Sequence, residues 1–226
     1  MPTEIHKLSL GICNCYLIKD EGLILVDTGT PNQGKTFLKK LKKLSIEPND
    51  ISLILLTHGH WDHIGSANEL KRLTGARVAV NHREKDWVEL ALKPLPPGVT
   101  VWGKIMTLIS RAYVPLVRFP GTHVDLALED KQFSLESYGI RGRVLHTPGH
   151  SPGSASLLLD SGDAFVGDLV ANGLPSRFGP GLPVVAENID AVRESWHLLL
   201  NEGAKRIYPA WGKPFPATVL EKLLRR

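Results

Sequence analysis

An apolar run leads without a break into a histidine cluster in the stretch Ile51-Ser52-Leu53-Ile54-Leu55-Leu56-Thr57-His58-Gly59-His60-Trp61-Asp62-His63. The run at 51–56 is short, rich in branched side chains and preceded by Pro48-Asn49-Asp50, so it predicts a buried strand of a parallel or mixed sheet. The histidines therefore follow the end of a strand. Loops at the carboxyl ends of such strands are where α/β proteins gather their ligands.

Three histidines and one aspartate within residues 58–63 concentrate metal-binding atoms in one loop. Neutral imidazole and carboxylate are donors that zinc and iron prefer. On a tight loop, His58 and His60 can point two nitrogens at one ion while Asp62 and His63 point elsewhere. The spacing therefore predicts two adjacent metal positions; a polar loop of hydrogen-bonded histidines is the alternative.

One such loop cannot complete a tetrahedral site, and the chain supplies further donors downstream. His150 occupies a turn rich in proline and glycine, Thr147-Pro148-Gly149-His150-Ser151-Pro152-Gly153, directly after the strand-like residues 142–146. Asp168 ends another apolar strand, and the prolines and glycines at 167–183 predict a long loop beside it.

In this order, the motifs resemble those of the metallo-β-lactamase-fold superfamily, whose hallmark is His-x-His-x-Asp-His followed by a distant histidine, a bridging aspartate and a last histidine. The resemblance covers nearly the whole chain. It implies an α/β fold, a four-layer αβ/βα sandwich of two mixed sheets flanked by helices, with the metals at one edge. It also implies a first metal site of His58, His60 and His150, and a second of Asp62 and His63, with Asp168 bridging the two.

The last histidine of this pattern is missing. The family places it in a Pro-x-His-Gly segment after the final strand, and the matching stretch, residues 207–215, has Trp211 at that position. An indole donates one hydrogen bond and has no lone pair for a metal. Trp211 is therefore predicted to weaken the second metal position, which retains Asp62, His63 and Asp168.

The first strands lead to another carboxylate. Residues 8–27 predict a hairpin with one strand at 8–18, a turn at 19–22 and a second strand at 23–26, which ends at Asp27 in an Asp-x-Gly loop. By the resemblance, Asp27 lies behind the metals and accepts a hydrogen bond from the second ring nitrogen of a ligand histidine. A simple turn aspartate is the alternative.

Length and composition suit one globular domain, residues 1–226. The formal net charge of +4 invites a nucleic-acid partner, but the lysines of 35–43 decorate the polar face of a predicted helix, which argues against one. No apolar run approaches membrane-spanning length and no signal peptide is visible, so we expect no transmembrane segment and a cytoplasmic location.

Residues 84–125 predict a helical, apolar insertion over the metal-binding side of the domain. Thr100 is placed to cap a helix that carries Val101, Ile105 and Ile109 on one broad face. A lid or apolar wall for a hydrophobic substrate is one use of this segment. Extra core cover, a homodimer contact and shallow attachment to an anionic membrane surface are the others.

These assignments imply a metal-dependent hydrolase acting on a small molecule. A water activated by metal would attack an ester, thioester or lactone-type substrate, with Asp62 as the catalytic residue that orients the water or passes its proton to the leaving group. Zinc is the expected cofactor, as one or two ions, with iron or manganese as alternatives. Other classes left open are an iron enzyme resembling persulfide dioxygenases, a nuclease, and a fold member that binds without turnover.

Overall fold

Short strands and flanking helices make up most of the computed structural model, which describes residues 3–173 and 179–225. The strands are β1 Glu4–Leu10, β2 Cys13–Lys19, β3 Leu23–Val26, β4 Leu53–Leu55, β5 Arg77–Asn81, β6 Leu126–Leu128, β7 Phe133–Ser134, β8 Gly142–His146, β9 Ala155–Leu159, β10 Asp163–Phe165, β11 Ala171–Asn172, β12 Pro180–Gly181, β13 Arg206–Tyr208, β14 Trp211–Gly212 and β15 Phe215–Pro216. The helices are α1 Gly34–Leu44, α2 Trp61–Ile64, α3 Ala67–Thr74, α4 Lys85–Glu89, α5 Val101–Tyr113, α6 Ile189–Asn201 and α7 Thr218–Leu224.

Within the described residues, these strands form two six-stranded mixed sheets and one small sheet. The first has the order β1-β2-β3-β4-β5-β6, in which β3 to β6 run parallel. The second has the order β15-β13-β10-β9-β8-β7, and β8, β10 and β13 run in one direction. In each sheet, therefore, several neighbouring strands end at the same edge.

Both faces of the central strands β3, β4 and β9 are buried, as their continuous apolar runs require. In β4, Leu53 and Leu55 join the core between the sheets, whereas Ile54 packs on the helical side with Phe37 of α1. On the far side of the second sheet, α6 contributes Trp196 to a third core. The layers run helix, sheet, sheet, helix, which confirms the predicted αβ/βα sandwich.

The single strand predicted at residues 8–18 is wrong. Gly11 and Ile12 form a turn, and β1 and β2 on either side of it pair antiparallel, with Leu10 opposite Cys13. Gly11 has φ of 84°, and a Cβ on it would collide with the side chain of Thr30. A tight turn at a glycine with positive φ replaces a continuous strand here.

The loop predicted at 167–183 has paired ends. β11 pairs antiparallel with β12 and parallel with β14, where Ala171 lies opposite Trp211. Pro175 and the rest of residues 174–178 lie outside the described residues. The pairing ties the segment after Asp168 to the segment that carries Trp211.

Helices α4 and α5 occupy the predicted insertion at 84–125. Thr100 caps α5, because its Oγ1 accepts a hydrogen bond from the Gly103 N–H at 2.9 Å. Backbone pairing holds the segment against residues 184–186, with Val99 N–H donating to the Val184 carbonyl at 2.8 Å. Among the helices of the described residues, none combines the length and the hydrophobicity that crossing a bilayer requires. The division into one domain with an insertion stays a prediction.

Candidate metal centre

Strands from both large sheets bring their carboxyl ends to one edge of the sandwich. Because β3, β4 and β5 are parallel neighbours, the segments that follow them emerge together, and the co-directional β8, β10 and β13 do the same from the facing sheet. The side chains delivered this way are Asp27 after β3, residues 58–63 after β4, Glu84 after β5, His150 after β8, Asp168 after β10 and Trp211 after β13.

His58, His60 and His150 form a compact triad of buried imidazoles. The ring centroids are 4.7 Å apart for His58 and His60, and 4.8 Å apart for each of the other two pairs. The three rings stand nearly perpendicular to one another, and His60 Nδ1 lies 2.9 Å from His150 Nε2. One nitrogen from each ring can reach a shared ion.

A second group of ligand atoms adjoins the first and comprises His58, His63 and Asp168. His63 Nε2 lies 3.2 Å from Asp168 Oδ1, and Asp168 Oδ2 lies 3.7 Å from His150 Nε2. The Asp168 carboxylate thus lies between the two groups. Asp62 is more distant, with its Oδ2 4.0 Å from His63 Nε2, and it belongs to neither group of mutually close atoms among the described residues.

Four buried side-chain atoms in the described part of the chain have no hydrogen-bond partner, and all four belong to predicted metal ligands: His58 Nε2, His60 Nε2, His63 Nε2 and Asp168 Oδ1. His63 Nε2 and Asp168 Oδ1 lie 3.2 Å apart as an ion pair, whereas His58 Nε2 and His60 Nε2 have no such partner among the described residues. Buried polar atoms without any partner are rare because each one is desolvated without compensation. A cation would satisfy such atoms. The donor set therefore fits a metal ion that prefers nitrogen and oxygen ligands.

In three of the four histidines predicted as metal ligands, the second ring nitrogen has a fixed partner. His58 Nδ1 lies 3.1 Å from Thr57 Oγ1, and His150 Nδ1 donates to the Val185 carbonyl at 2.9 Å. His63 Nδ1 donates to Asp27 Oδ2 at 2.9 Å. Such contacts hold the ring and its tautomer, and they leave Nε2 of each ring as the ligand atom.

Burial keeps the triad in the neutral form that binds metal. It lowers the pKa of His58 and of His60 well below the usual value, and it also lowers the pKa of His150. A neutral imidazole has a lone pair on one nitrogen, whereas an imidazolium has none. The triad is thus ready to bind an ion without first losing protons.

The second group has the opposite electrostatic character. Burial alone would lower the pKa of His63, but Asp168 and Asp27 outweigh it and raise this pKa well above the usual value. Burial also opposes ionisation of Asp168, but His63 holds its pKa below the usual range. Burial raises the pKa of Asp62 to about 6, although His63 partly offsets this effect. Without metal, His63 and Asp168 form an ion pair.

Trp211 lies beside this second group. Its indole Nε1–H donates to Asp168 Oδ2 at 3.2 Å, so a hydrogen-bond donor faces the carboxylate at this point. The ring packs against the core formed by the first sheet and its helices.

Glu84 is a functional candidate that the sequence analysis missed. It is fully buried, and its two carboxylate oxygens accept backbone hydrogen bonds from Gly59, between His58 and His60, and from Gly153, the latter at 2.7 Å. One side chain thus joins the two loops that carry the triad. The signal was its position: an acidic residue just after the strand that neighbours β4 in the sheet.

An open pocket leads from the triad to the insertion. His60, His150 and Asp168 line its floor, and Met106 and Tyr113 of α5 line its wall. The Tyr113 ring also meets the Trp61 ring edge to face, with centroids 6.0 Å apart. The inner face of α5 therefore borders the space beside the candidate metal ligands.

The chain belongs to the metallo-beta-lactamase superfamily, because the model of that family matches residues 8–211. This confirms the resemblance seen in the sequence motifs. The family match and the cluster of histidines together support a metal-dependent hydrolase.

Among the relatives of the chain is the probable metallo-hydrolase YflN of Bacillus subtilis, which is 27% identical over 212 residues and aligns with 82% of this chain and 77% of its own length. The hydroxyacylglutathione hydrolase GloC of Haemophilus influenzae is 27% identical over 181 residues, covering 76% of this chain and 74% of its own. The metallo-beta-lactamase family protein TTHA1429 of Thermus thermophilus superimposes with a TM-score of 0.69 at 22% identity, over 98% of this chain and 77% of its own. This last similarity concerns the fold.

Proposed function

We propose that the protein is a hydrolase that uses one metal ion, bound by His58, His60 and His150, to cleave an ester, thioester or lactone-type small molecule. The observation that carries the proposal is the buried imidazole triad, whose rings are neutral and whose His58 Nε2 and His60 Nε2 have no partner. Zinc is the expected ion, because a compact set of three histidines is its common catalytic arrangement.

A bound ion would supply a hydroxide near neutral pH and positive charge for the developing oxyanion. The chain's own residues do the remaining work. Asp62 borders the pocket, and in this proposal its carboxylate orients the attacking water or passes a proton to the leaving group. Met106 and Tyr113 offer an apolar surface for the acyl part of a substrate. A hydroxyacylglutathione hydrolase among the relatives favours thioesters within this range.

The second position would be weak. Asp62, His63 and Asp168 are the ligands proposed for it, and Trp211 stands where the family has a histidine. In its place, the indole N–H donates to Asp168, which satisfies one carboxylate oxygen without metal. We therefore expect about one ion per chain, bound at the triad.

Metal content and hydrolysis test the proposal together. Elemental mass spectrometry on protein purified without added metal should find about one zinc per chain. Esters, lactones and thioesters are then screened for cleavage. His150→Ala should lose metal and activity together, whereas the matched change His197→Ala, at an exposed histidine of α6, should lose neither. Turnover that survives His150→Ala would refute the catalytic role of the triad.

The metal found also separates this proposal from the iron enzyme, which the loss of a ligand at Trp211 favours as second candidate. One iron per chain would redirect the screen to persulfide oxidation. No metal after reconstitution would assign the chain to a binding role without turnover.

A further inference from the structure

The outward face of α5 is apolar. Val101, Ile105, Leu108 and Ile109 follow one another at helical spacing, and each is exposed, with 78% of Val101 and 68% of Leu108 accessible to solvent. Leu116, just beyond the helix, is 77% exposed. An amphipathic helix of a globular protein normally turns such a stripe toward the core. Here the stripe faces outward.

The inward face explains this orientation. Gly103 lies against the backbone of Val184, where a Cβ would collide with the carbonyl, and Thr107 Oγ1 donates to the Pro96 carbonyl at 3.2 Å. Both residues are buried. A small residue and a polar residue anchor the helix, so the stripe of Val101, Ile105, Leu108 and Ile109 remains on the opposite side.

The segment around α5 also carries the net charge of the chain. Residues 90–124 contain four Lys or Arg and no Asp or Glu, while the remaining 23 Lys and Arg are balanced by 23 Asp and Glu. Lys104 and Arg111 are exposed and seven residues apart, so they lie on the same edge of the apolar stripe. A row of cations beside exposed apolar side chains is the pattern of a helix that lies in the interface of an anionic membrane.

A second copy of the chain suits this face less well. A symmetric dimer would bring the same patch of each subunit together, and with it the Lys104 and Arg111 of both. The segment offers no carboxylate to pair with them. The negative headgroups of an anionic membrane match the charge of Lys104 and Arg111, and the acyl region of the membrane matches the exposed apolar side chains of α5.

We propose that α5 docks this protein on anionic phospholipid membranes, with Val101, Leu108 and Ile109 in the boundary between headgroups and acyl chains, and Lys104 and Arg111 at the headgroups. The inference does not depend on the hydrolase activity. It concerns a surface, and metal-free protein is expected to bind as well.

Vesicle sedimentation tests the proposal on the full chain, with chelator present. The protein should bind vesicles of phosphatidylcholine mixed with phosphatidylglycerol, bind phosphatidylcholine alone more weakly, and dissociate as salt is raised. Leu108→Glu/Ile109→Glu should lower the partition coefficient by at least about 10-fold. Lys104→Gln/Arg111→Gln should lower it about 30-fold on the mixed vesicles.

The matched control is Lys39→Gln/Lys43→Gln, which removes two exposed cations from α1. It should bind like the wild type. Equal losses in the control and in Lys104→Gln/Arg111→Gln would overturn the proposal, because the attraction would then be unspecific. So would absence of binding to the mixed vesicles. If the protein does not bind vesicles but forms a dimer, and Leu108→Glu/Ile109→Glu dissociates that dimer, the apolar face of α5 binds a second copy of the chain instead.

Discussion

Glu84 should hold the two triad loops together, and its replacement tests this directly. The buried carboxylate accepts the N–H of Gly59 with one oxygen and the N–H of Gly153 with the other. In Glu84→Gln, one oxygen remains, but the amide NH₂ faces an N–H that has lost its acceptor. The substitution preserves shape and volume, so the change is confined to hydrogen bonding and charge.

The structure sets the size of the effect. A buried donor left without a partner costs about 1–3 kcal/mol, so Glu84→Gln should lower the free energy of unfolding by about 2 kcal/mol. Glu84→Ala strands both N–H groups and should lower it by about 4 kcal/mol. Part of this loss is offset, because the buried carboxylate is itself desolvated in the wild type, which also raises the pKa of Glu84.

Urea unfolding of the metal-free protein measures the loss of stability, and metal titration measures the effect of the substitution on metal binding. Because the loops carry His58, His60 and His150, looser loops should weaken metal binding by about 10-fold or more. Glu194→Gln on the exposed face of α6 removes a carboxylate without these contacts and serves as the control. If Glu84→Gln stays within about 0.5 kcal/mol of the wild type and binds metal equally well, Glu84 does not couple the loops.

Three further predictions concern the metal ligands and their surroundings. Trp211→His restores a nitrogen lone pair beside Asp168 and should raise the metal content measured by elemental mass spectrometry from about one to about two ions per chain; an unchanged content would show that Trp211 does not limit the second position. Metal-free protein should lose stability between pH 7 and pH 5.5. The reason is that folding lowers the pKa values of the triad histidines. Below the ordinary histidine pKa of about 6.5, the unfolded chain therefore binds protons that the folded chain does not bind, and this favours the unfolded state. His63, whose pKa is raised, still stabilises the folded state at low pH, and protonation of Asp62 opposes the loss of stability only below about pH 6. A free energy of unfolding that rises as the pH falls from 7 to 5.5 would contradict the lowered pKa values of the triad. Asp27→Asn should lower the pKa of His63, followed by NMR, because Asp27 Oδ2 accepts the His63 Nδ1–H; a pKa that does not move would exclude this pairing in solution.

The sequence by itself was sufficient for the parts of the site that depend on local order. The run ending at Leu56 predicted a buried strand, and the following loop predicted clustered metal-binding atoms. Both inferences rest on spacing within a dozen residues, where the alternation of a strand and the shape of a tight loop decide which side chains share a direction. The order of the motifs was enough to indicate the family.

Only the tertiary structure decided the contacts between distant segments. Glu84 reaches Gly153 across 69 positions because β5 lies beside β4 and faces the second sheet, and no local pattern encodes that neighbourhood. The turn at Gly11 depends on Thr30 filling the space where a Cβ would be. The periodicity of α5 predicted an apolar stripe but not its direction, since the backbone of Val184 admits only a glycine at position 103 and so turns the stripe outward. Spacing along the chain determines which side chains share a face, whereas the packing of distant segments determines what that face meets.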